Sequence, residues 1–213
     1  MEENIKEVSL PTMKRLPYYY QYLKRLQAGG REVVSCSNLS EGLNVDATQV
    51  RKDLSVTGVK GSPKIGYPVS STITAIEKFM NWDNMTDAFL VGAGNMGRAI
   101  LSYEGFKQYG LKIVAAFDID EKKTDHEING IKVLPLEKLK SLAQRMHIHL
   151  GVITVPAEQA QSVADLMVSG GIKAIWNFAP INLDLPESII VQNENLACGL
   201  GILTREVNRI QGS

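Results

Sequence analysis

The run Gly92-Ala-Gly-Asn-Met-Gly97 constrains the architecture of this chain more than any other feature. It follows directly on the apolar run Asp87-Ala-Phe-Leu-Val91 and leads into an amphipathic stretch from Arg98 towards Gln108. A strand, G-x-G-x-x-G and a helix in that order open a Rossmann βαβ unit. The first glycine allows a tight turn and the second lets the backbone approach a diphosphate. The third permits close helix–strand packing, with the diphosphate at the helix N-terminus. A second apolar strand, Lys112-Ile-Val-Ala-Ala-Phe117, ends in Asp118. That position lies about 20 residues beyond the glycines, where an acid bonds the ribose hydroxyls. No arginine follows to receive a 2′-phosphate, so NAD(H) is expected over NADP(H). The cofactor-binding candidates from this unit are Val91, Gly92, Ala93, Gly94, Asn95, Met96, Gly97 and Asp118.

The alternation continues towards the C-terminus. Ile131–Val133, Leu150–Val155, Lys173–Asn177 and Ile189–Val191 read as strands, with helices at Leu136–Met146 and Ala157–Val168. The fold class expected is α/β, a doubly wound parallel sheet that binds its ligand beyond the C-terminal strand ends. Thr154, Val155, Pro156, Asn177, Phe178, Ala179 and Pro180 then become candidates for the nicotinamide side. Val155 and Phe178 equally suit a role capping the sheet core.

The N-terminal third has a different character. The whole chain balances 23 basic against 23 acidic residues, yet nine basic residues face four acidic ones between Pro11 and Tyr67, a surplus of five. Residues 68–213 carry 13 basic and 16 acidic side chains, a deficit of three. Such a division points to two modules with different partners. Leu16–Leu26 reads as a helix with Pro17 in its first turn, followed by short helices at Asn38–Leu43 and Ala47–Leu54. Asp46 with Gln49 forms a capping-box-like start for the last of these. Val56–Val69 reads as a two-stranded hairpin with a Gly/Pro tip. This layout predicts a winged helix-turn-helix, its helix-turn-helix region covering about 17–56. With Ala47, Val50 and Leu54 turned inward, Thr48, Gln49, Arg51, Lys52 and Ser55 face out. Donors for base edges beside cations for phosphates are what a major-groove helix needs. Lys60 and Lys64 are placed on the hairpin tip. A three-helix protein-interaction domain with a solvated basic face fits the same pattern.

No residue stands out as a catalyst. A nicotinamide dehydrogenase needs an acid–base group beside its substrate, and His126, His147 and His149 fall outside the expected ligand edge. No metal site is expected, and Cys36 and Cys198 read as small packing residues. No apolar run approaches the roughly 20 residues of a membrane span. The start carries no export signal, and two cysteines fit a reducing compartment, so a cytoplasmic protein is expected. The expected division is a DNA-binding domain over 1–80, an NAD(H)-binding domain over 81–195 and a C-terminal helix over 196–213. Leu196, Leu200, Leu203, Val207 and Ile210 form one apolar stripe on that helix, which must be buried somewhere.

A resemblance rests on linked motifs: Lys14-Arg-Leu-Pro-Tyr-Tyr19, Val50-Arg-Lys-Asp-Leu-Ser55, Gly92–Gly97, Ser102-Tyr-Glu-Gly-Phe106, Ala116-Phe-Asp118, Leu150–Pro156 and Gly171–Pro180. In this order, over nearly the full length, the chain resembles the Rex family of bacterial redox-sensing transcriptional repressors. The resemblance implies a homodimer that binds double-stranded operator DNA when NADH is scarce and releases it when NADH accumulates. It implies a C-terminal helix exchanged between subunits, and it makes Tyr103 a candidate switch residue at the nicotinamide, against the alternative of a core tyrosine. The family's pairing of an arginine with an aspartate of the partner subunit falls here on Gln21 and Asn195, so a hydrogen bond would replace the ion pair. Two rival readings remain: a small NAD-dependent oxidoreductase with a regulatory N-terminal domain, and a cofactor-binding scaffold whose N-terminal module grips protein.

Overall fold

The computed structural model describes residues 8–211. The chain divides between Asn84 and Met85 into two compact units.

In the first unit, α1 (Leu10–Ala28) starts earlier than periodicity alone predicts. Ser9 caps it by accepting from the Thr12 amide, and Pro11 takes the first-turn position that suits its missing N–H. Pro17 therefore sits inside the helix rather than in its first turn. Leu16, Tyr19 and Leu23 are fully buried along one stripe. The strand β1 (Val33–Val34) leads into α2 (Cys36–Leu43), which is capped by Ser35. That cap moves its start two residues ahead of the expected Asn38. α3 (Ala47–Ser55) opens on Asp46, and α4 (Val69–Phe79) follows the strand β2 (Tyr67–Pro68).

The hairpin expected within 56–69 does not form. β2 pairs antiparallel with β1, Val33 opposite Pro68 and Val34 opposite Tyr67. The intervening loop carries only a bridge between Ser62 and Gly66. Pro63 offers no amide to a ladder, and Lys64 at φ 64° and Gly66 at φ 105° turn the chain back. A Cβ on Gly66 would strike the Val34 carbonyl, so glycine is what lets this loop meet β1.

In the second unit β3 (Thr86–Val91), β4 (Leu111–Asp118), β6 (Ile131–Pro135), β7 (Leu150–Ile153), β8 (Ala174–Asn177) and β9 (Ile190–Asn193) form a parallel sheet, with β5 (Glu127–Ile128) antiparallel on β6. The order β5-β6-β4-β3-β7-β8-β9 places β3 between β4 and β7, the point where a doubly wound sheet reverses direction. Alternate residues fill two cores. Phe89, Val91, Phe117 and Ile153 pack with Leu139 and Ala143 of α6 (Leu139–Met146) and Val163 and Met167 of α7 (Ala157–Ser169). Leu90, Ala116 and Val152 pack with Ile100 and Leu101 of α5 (Asn95–Ser102) on the opposite face. Burial of both faces is why these strands are apolar without alternation.

The helix expected to run from Arg98 to Gln108 is divided. α5 ends at Ser102, Tyr103 is extended at φ −88° and ψ 96°, and a 3-10 turn covers Glu104–Tyr109. The C-terminal helix α8 (Leu196–Gln211) forms despite Gly199 and Gly201, and its apolar stripe is exposed. No described helix is long and apolar enough to cross a membrane.

Candidate functional site

The glycine turn joins β3 to α5 at the C-terminal edge of the sheet. Gly92 has φ 104°, and a Cβ there would meet the Thr154 backbone at 2.8 Å. A Cβ on Gly97 would collide with the Gly92 carbonyl, so the helix lies directly against the strand. Thr154 secures the turn: its hydroxyl points at the carbonyl oxygens of Val91 (3.0 Å) and Gly92 (2.8 Å). Gly94 differs from both, since a Cβ there would meet nothing within 4 Å. It is also the N-cap of α5, where no side chain satisfies the first-turn amides. Free helical N–H groups beside an open approach form the cradle that a diphosphate requires.

Asp118 ends β4 and is nearly buried. Its Oδ2 accepts from the Ala93 amide at 2.8 Å and lies 3.3 Å from Lys123 Nζ, while its Oδ1 accepts from the Asp120 amide at 2.9 Å. These contacts lock the carboxylate against the glycine turn. A cavity of about 500 Å³ opens between them, lined by Val91, Gly92, Gly94, Asn95, Met96 and Asp118 and, from the segments that follow β7 and β8, by Thr154, Val155, Pro156 and Phe178. Ile119, Asp120, Lys123, Leu136, Gln159 and Val163 complete the lining. Motif reasoning passed over this second set, although Ile119, Asp120 and Lys123 follow Asp118 within one loop. Ala93 and Gly97 are buried behind the wall.

Four expected nicotinamide-side residues lie elsewhere. Asn177 is fully buried, and its Nδ2 donates to the Ala179 and Ile181 carbonyls and to Asn193 Oδ1, while its Oδ1 accepts from the Ala179 amide. With its amide consumed in shaping the loop after β8, it does not line the cavity. Ala179 and Pro180 line a separate small pocket beside Asn193–Asn195. Tyr103 is neither on the 500 Å³ cavity nor in the core. It is 54% exposed and borders another cavity of about 320 Å³. The extended backbone at Tyr103 turns the ring over Gly105, where a Cβ would strike it, and edge-on to Phe106 at 4.8 Å. Ring contacts continue from Phe106 to Trp176 at 5.4 Å and on to Phe178 at 4.7 Å. Phe178, half-buried, both packs on the sheet core and walls the cavity.

The histidines serve local geometry. His147 is the left-handed cap of α6, and ring nitrogens of His126 and His149 contact the Thr124 and Gly171 carbonyls. Among the described residues no three His, Cys, Asp or Glu side chains converge on one point.

In the first unit, Val50 and Leu54 are buried and Thr48, Arg51, Lys52 and Ser55 of α3 are exposed, as are Lys60 and Lys64 in the loop. Asp46 accepts from the Gln49 and Thr48 amides, bonds that hold its carboxyl below the usual range. The Gln49 side chain does not reach back to complete a capping box. Its Nε2 donates instead to Asp53 Oδ1 at 2.8 Å.

Asp53 is the residue that sequence reasoning missed. It is fully buried on the face shared by Val50 and Leu54. Arg15 donates through Nε to Oδ2 at 2.6 Å and through NH2 to Oδ1 at 2.8 Å. Tyr19 and Thr12 add bonds of 2.7 and 2.9 Å. Burial pushes this carboxyl up, but the bonds from Arg15, Tyr19, Gln49 and Thr12 overcome it and bring it down to about 2. Burial, then the Asp53 hydrogen bond, raises the Tyr19 phenol. An acid on the inward face of a short helix needs such partners, and that was the readable signal.

A helix-turn-helix unit joined to a Rossmann unit with a glycine cradle defines a class of cofactor-responsive regulators. Residues 83–181 match the family model of the CoA binding domain, and residues 7–55 match that of the putative DNA-binding protein N-terminus. Redox-sensing transcriptional repressors Rex from Treponema denticola and Bacteroides fragilis are 42% and 40% identical, over 93% and 95% of this chain and 94% and 92% of theirs. A crystal structure of RSP in complex with β-NAD+ and operator DNA superposes with a TM-score of 0.90 at 33% identity, covering 96% of this chain and 94% of that one. RSP in complex with β-NADH gives 0.87 at 32%, over 97% of each. The chain belongs to the Rex family of redox-sensing transcriptional repressors, which is regulatory rather than enzymatic.

Proposed function

We propose that this chain represses transcription by binding double-stranded operator DNA through α3 and releases it when NADH occupies the cavity of the Rossmann unit. The observation that carries this reading is the cradle itself: Gly92, the open Gly94 and the uncapped first turn of α5 face Asp118 across one cavity, in a member of a redox-sensing repressor family.

Gly94 and the α5 amides would hold the diphosphate, and Asp118, kept in place by Ala93 and Asp120, would accept from the ribose hydroxyls. The ligand supplies the redox signal: its nicotinamide ring is neutral when reduced and positively charged when oxidised. Val155 and Phe178 wall the cavity with apolar surface, which disfavours the charged ring. Differential affinity of this kind is what shifts a two-state equilibrium. On the DNA side Thr48, Arg51, Lys52 and Ser55 would enter the major groove, with Lys60 and Lys64 on phosphates.

The DNA-binding domain expected over 1–80 is extended to Asn84, where the first compact unit ends, followed by the NAD(H)-binding domain to 195 and the C-terminal helix over 196–213. The active form is assigned as a homodimer in the cytoplasm. Support for the dimer comes from α8, where Leu196, Leu200, Leu203 and Ile210 are each more than 60% exposed in the single chain. An apolar stripe of that length is covered in a stable protein, and exchange of α8 between subunits would cover it. The test is operator affinity measured against the NADH/NAD+ ratio at constant salt. Affinity is expected to fall as the ratio rises, and an affinity indifferent to the ratio overturns the proposal.

A further inference from the structure

On the expected DNA-reading face the Ser55 hydroxyl donates only to the Lys52 carbonyl of its own helix, whereas the Gln49 side chain bonds a fully buried carboxylate, Asp53. Gln49 is half-buried in the first turn of α3, between the exposed Thr48 and Lys52. Its partner Asp53 cannot turn away, because Thr12, Arg15 and Tyr19 of α1 hold both carboxylate oxygens. An ionised carboxylate only accepts hydrogen bonds. Asp53 therefore takes the Nε2 end of the Gln49 amide and excludes the flipped form, which would set oxygen against oxygen. A glutamine free on a helix surface presents either end of its amide; this one presents a single arrangement. Oε1 and the second Nε2 hydrogen are left over, an acceptor next to a donor on one planar group.

We propose that Asp53 is a positioning residue that pre-orients Gln49, and that Gln49 reads an adenine in each operator half-site through the N6 amino group and N7. Adenine is the base whose major-groove edge complements a donor–acceptor amide. Asp53 shares α3 with the reader but is itself held by Thr12, Arg15 and Tyr19 of α1, so the packing of these two helices sets the reading edge before DNA arrives. Preorganisation of this kind spares the rotamer freedom that an exposed glutamine loses on binding. The inference rests on the operator-binding reading above and adds to it which residue selects which base.

The test compares the full-length wild type with Gln49→Met, similar in size but without the amide, on duplexes selected from a randomised pool. Wild type is expected to prefer adenine at one position of each half-site by roughly 5- to 150-fold, the range for one bidentate contact. Gln49→Met is expected to lose that preference alone, keeping the others and its NADH affinity. The clamp is read separately by NMR in the free protein, where the Gln49 side-chain amide, assigned by its absence in Gln49→Met, should exchange with solvent more slowly than those of exposed glutamines. Uniform weakening with an unchanged base profile, or no change at all, overturns the reader. Exchange as fast as that of exposed glutamines overturns the positioning role. If wild type selects no sequence from the pool, operator binding itself fails, an outcome distinct from either.

Discussion

Two buried aspartates, one in each unit, show how the same side chain serves different ends. Asp53 is sealed: all its partners are side chains, one of them the Arg15 guanidinium, and none of its surface reaches solvent. Asp118 is held from behind by the Ala93 and Asp120 amides but lines a cavity, and its one cation, Lys123, is 42% exposed. The first carboxylate has its hydrogen-bonding capacity taken up inside the protein and ties two helices together. The second keeps capacity in reserve at the end of a strand. Burial alone does not separate an acid closed within the protein from one open to a cavity; what does is whether the partners close the site.

Removing the sealed acid should have the largest effect. Asp53→Ala leaves the buried Tyr19 hydroxyl and the half-buried Arg15 without their acceptor and should destabilise the first unit by roughly 2–4 kcal/mol. Trp82 and Trp176 lie in different units, so thermal unfolding followed by Trp82 fluorescence in a Trp176→Phe background reads the first unit. Operator binding should disappear while NADH titration is unchanged, and an unmoved Trp82 transition contradicts the sealed role. Acid should reveal the same group. Its carboxyl is held down to about 2, so the stability it contributes is present above the ordinary carboxylate range and is lost as pH falls from about 4 towards 2. An Asp53→Asn protein should show a flatter Trp82-monitored stability across that window.

Next in size comes the cradle. Gly94→Val enters open space, so the melting temperature should hold while NADH affinity, read by nicotinamide fluorescence, falls tenfold or more, about 1.4 kcal/mol. Unchanged NADH affinity would remove the diphosphate from this turn. For the open acid, Asp118→Ala leaves the Ala93 amide unsatisfied at a cost of about 1–3 kcal/mol in stability. NADH affinity should drop with it, while operator binding without NADH persists; calorimetry and gel shift separate the two. The smallest change is expected for Lys123→Met. Its half-exposed pairing with Asp118 should contribute under about 1 kcal/mol, and a melting shift as large as that of Asp118→Ala would show the pair to be as closed as the one in the first unit.

Much of the second unit was legible because its constraints are local. Strand, glycines, helix and acid are contiguous or nearly so, and the chemistry of a diphosphate cradle demands residue types that little else does. Two departures there have equally local causes: the extended Tyr103 broke a helix that periodicity continued, and the buried Asn177, off the cavity, spends its amide on its own loop. In the first unit the apolar stripes of α1 and α3 were readable, and so was the basic excess. The wing was not, because the partner of Tyr67-Pro68 lies before α2, more than thirty residues back. The polar anchor was not read either, because Thr12, Arg15 and Tyr19 lie between 34 and 41 residues from Asp53.

The sequence by itself determined the class of fold, the order of its two units, the cradle and the acid beside it, since each follows from residues close together in the chain. Only the tertiary structure decided which acid is closed and which is open, which way the Gln49 amide faces, and that Tyr103 stands apart from the cavity. Those depend on groups brought together from distant parts of the chain, where a hydrogen bond of 2.6–2.9 Å forms or fails on the packing of helices and strands and leaves no periodic trace in the residues themselves.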